Sequence, residues 1–301
     1  MTLQEKLDAG RFAITVEVTP PVSASRDELL AKALPLKGLA DAVNVTDGAG
    51  ARPHLGAVTA AAILVEQGIE PVLQLTCRDR NRIALQSDLL SAAACGVRNL
   101  LMLRGDDPSA GDQPDAKPVF DLDPRQLLET ARRLRDAGEL PSGRKITGSA
   151  PFYLGSADNP IDPPEGWTPK GLAAKYEAGA QFVQTQFCMD SQVVRRYMAR
   201  LDEQGLGGKL KFLIGIVPLR SAKSARWIKD KLYGAIIPDA TIARMEAAAD
   251  PAAESRAICV DIIRELADIP QVAGVHIMAP NNDAAVPLVI VEARKSIKRL
   301  A

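Results

Sequence analysis

Polar side chains occupy every second position in several short apolar runs, and they supply the groups that could do chemistry. In the run that starts at Phe12, Thr15 and Glu17 share one face while Ile14 and Val16 share the other. A lone glutamate is more often solvated or ion-paired than catalytic. A carboxyl group among converging amides and hydroxyls, partly shielded from water, suits a general acid near neutral pH. The same alternation puts these polar residues on one face of their runs: Asn44, Thr46, Gln74, Thr76, Gln184 and Gln186.

Other reactive side chains allow more than one interpretation. The triplet Arg104-Gly105-Asp106 ends an apolar run, where glycine permits close backbone approach and the two charges serve either a ligand or each other. The four cysteines form no CxxC pair and only two histidines are present, which argues against a zinc site and a disulfide framework. We expect Cys77 and Cys188 to be inert buried thiols. His276 is expected to be a satisfied interior residue.

These residues need a scaffold, and the chain shows repeated strand and helix patterns. Eight apolar runs predict strands, and most are followed by a stretch with helical spacing. The strands are predicted to begin near Phe12, Ala42, Pro71, Asn99, Lys145, Phe182, Lys211 and Gly274. The helices are predicted at Ser25–Leu39, His54–Gln67, Asn81–Cys95, Pro124–Ala137, Thr168–Ala178, Ser191–Gln204, Ser221–Tyr233 and Ala284–Leu300, with two more segments split at Asp250-Pro251.

Eight such units predict an α/β fold, a (β/α)₈ TIM barrel that forms a single domain over residues 1–301. A doubly wound open sheet is the structural alternative. No GxGxxG follows the first run and no low-complexity linker divides the chain, so the barrel is favoured. Two long loops rich in Pro, Gly and Asp, Asp106–Asp123 and Pro151–Trp167, are expected to follow strand ends on the face where barrels carry active sites.

Composition excludes several classes of partner. Lys and Arg together number 37 and balance 37 Asp and Glu, so no net field attracts nucleic acid or an anionic membrane. No run reaches the roughly 18 apolar residues that span a bilayer, and the first residues lack the pattern of a secretory signal. The expected location is the cytoplasm.

Six short motifs, in order along the chain, resemble those of the methylenetetrahydrofolate reductases, which are flavin-dependent barrels of folate one-carbon metabolism. The chain is similar to the bacterial single-domain type, and Gln74 stands where typical members have His. The motifs are VEVTPP at Val16–Pro21, VNVTDGAG at Val43–Gly50, LTC at Leu75–Cys77, LRGDDP at Leu103–Pro108, KYEAGA at Lys175–Ala180 and TQF at Thr185–Phe187.

This resemblance implies roles for individual residues. Glu17 would be the general acid that helps open the imidazolidine ring of methylenetetrahydrofolate to an iminium ion. Asp106 would be catalytic and lie between pterin and flavin, and Gln186 would hydrogen-bond the pterin. The residues expected to bind FAD are Thr46, Gln74, Arg104, Gly105, Asp106, Ala150 and Lys175.

The implied reaction is hydride transfer between NADH or NADPH, FAD and a folate substrate, interconverting 5,10-methylenetetrahydrofolate and 5-methyltetrahydrofolate. Hydride transfer directly from a nicotinamide, without flavin, is a variant of the same reaction. A pterin-binding methyltransferase barrel, or a folate- or flavin-binding subunit of an electron-transfer complex, are alternatives. A homo-oligomer or an electron-donor protein is the expected protein partner.

Overall fold

Eight parallel strands pair in chain order, and the last strand pairs with the first, so the sheet closes into a barrel. The computed structural model describes residues 1–296. The strands are β1 (Ala13–Val18), β2 (Ala42–Val45), β3 (Pro71–Thr76), β4 (Asn99–Leu103), β5 (Tyr153–Asp158), β6 (Phe182–Phe187), β7 (Lys211–Ile216) and β8 (Val272–Ile277).

Eleven helices are present within the described residues, and ten of them follow β1 in the chain. They are α1 (Leu3–Asp8), α2 (Arg26–Ala33), α3 (Ala57–Glu66), α4 (Arg82–Ala94), α5 (Pro124–Ala137), α6 (Lys170–Glu177), α7 (Ser191–Glu203), α8 (Ala222–Lys231), α9 (Asp239–Ala247), α10 (Pro251–Ala267) and α11 (Val286–Ser296). The predicted (β/α)₈ barrel is therefore confirmed. Residues 297–301, which include the end of the predicted helix Ala284–Leu300, lie outside the described residues.

Alternation along each strand separates two environments. Outward side chains such as Ile14, Val43 and Leu73 belong to the large apolar core between the sheet and the helices. Inward side chains fill the lumen, and at its amino-terminal end they form a separate apolar cluster. That cluster contains Ala13, Ala42, Val72, Leu101, Tyr153, Phe182 and Leu213, with Leu3 and Leu7 of α1.

The short helix α1 closes the amino-terminal end of the barrel, and the sequence patterns did not reveal it. Thr2 and Glu5 form a capping box at its start. The backbone N–H of Leu3 donates to the Glu70 carboxylate at 3.0 Å, which fixes the helix to the edge of β3. Burial raises the pKa of Glu70. The helix thus covers this end of the lumen with the side chains of Leu3 and Leu7.

The fifth strand was predicted in the wrong place. The run at Lys145 forms part of a small hairpin, in which Glu139 and Lys145 are bridged and the Leu140 N–H donates to the Arg144 carbonyl at 2.9 Å. The strand is Tyr153–Asp158, so it lies inside the predicted loop Pro151–Trp167. Gly155 is needed there because a Cβ would come within 2.3 Å of the Phe182 ring. The predicted loop Asp106–Asp123 does follow β4.

No helix among residues 1–296 is both long enough and apolar enough to cross a bilayer.

Candidate active site

Four buried polar side chains form a hydrogen-bonded layer across the middle of the lumen. The Gln184 amide donates to Thr15 Oγ1 at 3.0 Å and to Asn44 Oδ1 at 2.9 Å, and it accepts from Asn44 Nδ2 at 2.5 Å. Thr15 Oγ1 also lies 2.9 Å from Nδ1 of His276. Each group supplied by β1, β2, β6 or β8 therefore has a hydrogen-bond partner within the lumen, either on the adjacent strand or across the barrel, as burial of polar groups requires. His276 is a buried interior residue, as expected.

Glu17 stands above this layer, toward the carboxyl-terminal mouth. Its Oε2 accepts a hydrogen bond from Gln74 Nε2 at 3.1 Å and lies 3.8 Å from Nε2 of His276. The glutamate side chain keeps 25% of its surface exposed, whereas the His276 side chain keeps 3%. Glu17 is thus oriented from below and the side, and a molecule in the mouth can reach its carboxyl group. This arrangement allows proton transfer to a bound ligand.

Thr46 brings an unused hydroxyl to the same mouth, one strand away from Glu17. Its Oγ1 is buried and has no hydrogen-bond partner among the described residues. A buried hydroxyl without a partner costs free energy, so a ligand that hydrogen-bonds to it is favoured. The neighbouring Thr76 hydroxyl is already used, because it donates to Asp47 Oδ2 at 3.0 Å.

Asp47 and Arg78 organise the loops around the mouth, and neither was singled out from the sequence. Arg78 is 3% exposed and donates to Asp79, to the Gly48 carbonyl at 3.1 Å and to the Asp106 carbonyl at 3.3 Å. Asp47 accepts from the Thr76 N–H at 2.8 Å and from Arg80. The available signal was their position, since both follow directly on the polar-faced strands β2 and β3.

The segment Arg104–Asp106 lies on the mouth at the end of β4. Gly105 has a φ of +91°, and a Cβ there would lie 2.9 Å from Cβ of Arg78, so the position requires glycine. The carboxylate of Asp106 is exposed and accepts from the Gly50 N–H at 2.8 Å, which ties the loop after β4 to the loop after β2. The Arg104 guanidinium lies 4.4 Å from the centre of the Phe120 ring. The two charges of Arg104 and Asp106 therefore serve different contacts and do not pair with each other.

Gln186 lies at the rim, two residues beyond the buried Gln184. Its Oε1 accepts from the Phe187 N–H at 3.0 Å, and its Nε2 donates to the Tyr233 carbonyl at 3.4 Å. The side chain is half-buried, so part of the amide faces the mouth.

One of the expected flavin-site residues lies away from the mouth, and the side chain of another is engaged with the backbone of β5. Ala150 is buried and precedes β5, so it belongs to the amino-terminal end of the barrel. The Nζ of Lys175, on α6, donates to the carbonyl of Ala157 at 2.6 Å. Beside it, Asp158 accepts a hydrogen bond from the Tyr197 hydroxyl of α7, on the outer side of the sheet. Ala150 was expected at the flavin site from the family resemblance, and it lies before β5 because that strand begins at Tyr153.

The cysteines near strand ends lie in apolar surroundings. Burial raises the pKa of the Cys77 thiol to about 11 and that of Cys188 to about 12. Both groups are therefore protonated at neutral pH, as expected of inert thiols. Among residues 1–296, no group of three or more His, Cys, Asp or Glu side chains is arranged to hold a metal ion.

A closed (β/α)₈ barrel with a carboxyl group at the carboxyl-terminal end of its lumen is the arrangement typical of TIM-barrel enzymes. Comparison with known proteins gives the family. The family model of methylenetetrahydrofolate reductase matches residues 2–294. The chain therefore belongs to the methylenetetrahydrofolate reductase family, as the sequence motifs had indicated.

Individual relatives are distant. The chain is 26% identical over 235 residues to a probable methylenetetrahydrofolate reductase (NADPH) of Caenorhabditis elegans, covering 75% of this chain and 33% of that protein. It is 28% identical over 222 residues to a 5,10-methylenetetrahydrofolate reductase of Pectobacterium carotovorum subsp. carotovorum, covering 71% of this chain and 66% of that protein. The matched region thus spans only a third of the length of the nematode relative.

Solved structures share the fold. An uncharacterized protein from Clostridium thermocellum that binds two copies of 5-methyl-5,6,7,8-tetrahydrofolic acid superposes with a TM-score of 0.59 at 11% identity, covering 97% of this chain and 98% of that chain. A tryptophan synthase chain from M. tuberculosis gives a TM-score of 0.54 at 13% identity, covering 98% of this chain and 97% of that chain. At these identities the likeness shows the barrel fold alone.

Proposed function

We propose that this protein interconverts 5,10-methylenetetrahydrofolate and 5-methyltetrahydrofolate by hydride transfer. The observation that carries the proposal is Glu17, held by Gln74 and His276 at the open end of a polar lumen. Family membership supplies the substrate class, and the name of the Pectobacterium relative specifies the same reaction.

The reduction needs a proton as well as a hydride. The five-membered ring that carries the methylene carbon must open, and the departing ring nitrogen must take up a proton. In our proposal Glu17 donates that proton, and a hydride then adds to the resulting iminium carbon to form the methyl group. After proton transfer the carboxylate accepts the Gln74 N–H, so the charge that develops on Glu17 is stabilised within the site.

Two further residues would hold the folate. Gln186 has a rim position from which its amide can pair with the polar edge of a pterin, because its present bond to the Tyr233 carbonyl is long at 3.4 Å. Asp106 is exposed on the neighbouring loop, anchored through Gly50. It would adjoin both the pterin and the reductant. These roles remain predictions from the family motifs, supported by the placement of both residues at the mouth.

FAD with NADH or NADPH as its reductant is part of this proposal. The unpartnered hydroxyl of Thr46 beside Gln74 fits a polar planar ring in the mouth, with Arg104 and Gly105 on the adjoining loop. Ala150 is not placed to contribute, and the Lys175 amine is engaged with the Ala157 carbonyl near the carboxyl end of β5. When bound, the flavin would supply the hydride. A cytoplasmic location, and a homo-oligomer or an electron-donor protein as partner, also remain predictions.

The direct test begins with the absorption spectrum of the purified protein. NADH and then methylenetetrahydrofolate are added without oxygen. We expect flavin absorbance that bleaches with NADH and recovers with the folate. A colourless protein that still consumes NADH with the folate would remove FAD and keep the reaction. No turnover with any reductant would refute the proposal, and transfer of a methyl group without any reductant would favour a methyltransferase.

Glu17→Gln tests the acid. Glutamine keeps the size of the side chain and cannot donate the proton, so folate turnover should fall by roughly 10²–10⁴-fold while reduction of the bound cofactor is unchanged. The two half-reactions are followed separately by stopped-flow absorbance. Glu129→Gln, on the exposed surface of α5, is the matched control and should leave both half-reactions intact. Normal folate turnover in Glu17→Gln would contradict the assignment.

A further inference from the structure

Aromatic side chains are scarce in this chain, and few of them face solvent. The twelve are six Phe, four Tyr and two Trp, and all lie within the described residues. Tyr176, Trp227 and Tyr233 are the exposed ones. Of these, Tyr233 has by far the largest exposed fraction, at 89%.

Exposure alone does not single out Tyr233, because isolated apolar side chains are common on protein surfaces. Its position does. The Tyr233 carbonyl accepts the hydrogen bond from Gln186 Nε2 at 3.4 Å. A carbonyl oxygen lies about 2.4 Å from its own Cα, so the base of the tyrosine side chain is within about 6 Å of the Gln186 amide. The backbone of Tyr233 therefore lies at the rim of the candidate active site, and its side chain is exposed there.

The segment on either side of Tyr233 is firmly anchored, so the exposed ring is not the result of a loose loop. The Ile236 N–H donates to the Phe187 carbonyl and the Met189 N–H donates to the Ile236 carbonyl, both at 2.8 Å, which adds this segment to the end of β6. On the other side, Leu232 packs partly buried against the core. Gly234 has a φ of +77° and turns the chain against Asn159.

We infer that Tyr233 is the aromatic platform of the substrate site, whose ring stacks on the flat heterocycle that Gln186 binds. The inference rests on the proposed function for the identity of that heterocycle, the pterin of the folate. A phenol ring offers a large apolar face at small cost in conformational entropy, and stacking of a heterocyclic base on such a face strengthens binding substantially. Gln186 would read the edge of the ring system while Tyr233 covers its face.

Three variants test the platform by calorimetric titration with 5-methyltetrahydrofolate and by steady-state kinetics. Tyr233→Ala should weaken folate binding by roughly 5- to 100-fold. Tyr233→Phe should stay within about 3-fold of the wild type, because the phenyl face is kept. Tyr176→Ala makes the same substitution on α6, where the tyrosine faces Lys209 near the amino-terminal end of β7, and should leave folate binding unchanged.

A direct contact is read out by Tyr233→Trp, which should add a fluorescence signal that is quenched on addition of 5-methyltetrahydrofolate. Thermal unfolding of each variant shows whether the fold is intact. If the wild type turns over folate and Tyr233→Ala binds it equally well, the platform is refuted and the proposed function stands. If the wild type neither binds nor turns over folate, both are refuted.

Discussion

The two ends of the barrel lumen are built from the same eight strands and have opposite chemistry. At the amino-terminal end, Tyr153 and Phe182 stack with their ring centres 4.9 Å apart within an apolar cluster closed by α1. Two residues further along the strands, Gln184 and its partners form a polar layer, and Glu17 lies above it. Consecutive inward positions on one strand therefore belong to different regions: the first stabilises the fold, and the next belongs to the polar layer beneath the candidate active site.

The largest effect on stability should come from the apolar end. Phe182→Ala would leave a cavity beside Tyr153 and lower the free energy of unfolding by about 3–5 kcal/mol, measured by urea denaturation. Because the site lies at the other end, the KM of the folded variant should stay near that of the wild type.

Gly155 sharpens this prediction because a Cβ added to it would enter the space of the Phe182 ring. Gly155→Ala alone should destabilise the wild type by about 1–3 kcal/mol through overpacking. Combined with Phe182→Ala it should cost less, since the space has been vacated. Strict additivity of the two changes would show that the ring does not determine this packing.

Substitutions in the polar middle layer should lower the free energy of unfolding by less than Phe182→Ala does, because they leave buried polar groups without hydrogen-bond partners. Gln184→Leu leaves the Asn44 amide without its partner, so the free energy of unfolding should fall by about 1–3 kcal/mol. Gln186→Leu, on the same strand, is the matched control. It should hardly change stability and should weaken folate binding, measured by titration. If both variants lost stability and neither lost affinity, the boundary between the two regions would lie elsewhere.

The smallest expected effect on stability comes from Asp158, a partly buried carboxyl group on the outer side of β5. Burial raises the pKa of Asp158 above its usual 3.8, although the hydrogen bond from Tyr197 opposes this. The folded state therefore holds this proton at pH values where the unfolded chain has released it. The contribution of Asp158 to the free energy of unfolding therefore falls as pH rises from the ordinary aspartate pKa of 3.8 to the raised pKa of the folded state. Asp158→Asn keeps an acceptor for Tyr197 and should flatten that part of the stability curve.

Asp162→Asn provides a control of opposite sign. The stability of both variants is measured by urea denaturation at a series of pH values. The Arg196 guanidinium lowers the pKa of Asp162, so its contribution is present above the ordinary pKa and is lost as pH falls. Both variants should differ from the wild type mainly at pH values above the ordinary aspartate pKa, with opposite signs: Asp158→Asn is spared a loss of stability there, whereas Asp162→Asn lacks a stabilising contribution. Identical shifts in both variants would overturn the assignment.

Most of the scaffold could be predicted from the sequence because its periodicity is a local property. The alternation that put Glu17, Gln74 and Gln184 on inward faces is a two-residue period, and the lumen contacts of these side chains agree with it. The fifth strand was missed because its sequence, YLGSAD, has no β-branched residue, and Gly155 is selected by the distant Phe182 ring. Sequence periodicity cannot reveal a residue such as Gly155, whose identity depends on contact with a residue far away in the chain.

The same limit applies to the mouth. Asp47, Arg78 and Tyr233 act through loops whose shape depends on several strands at once. Lys175 lies in a motif that matched the family, and its amine donates to the backbone carbonyl of Ala157 in β5. Residue type and order indicated the candidate site, whereas the direction of each loop side chain required the assembled barrel.

The pairing of β1 with β8 has a consequence for how the protein becomes functional during folding. Thr15 and His276, which support Glu17, are separated by 261 positions in the chain. Contacts of such long sequence separation form late, because the cost of closing the intervening chain comes first. In a nascent chain, Glu17 therefore lacks its contact with His276 until β8 has been synthesised and has paired with β1. Turnover of substrate would then report completion of the barrel, and fragments released early would be inert.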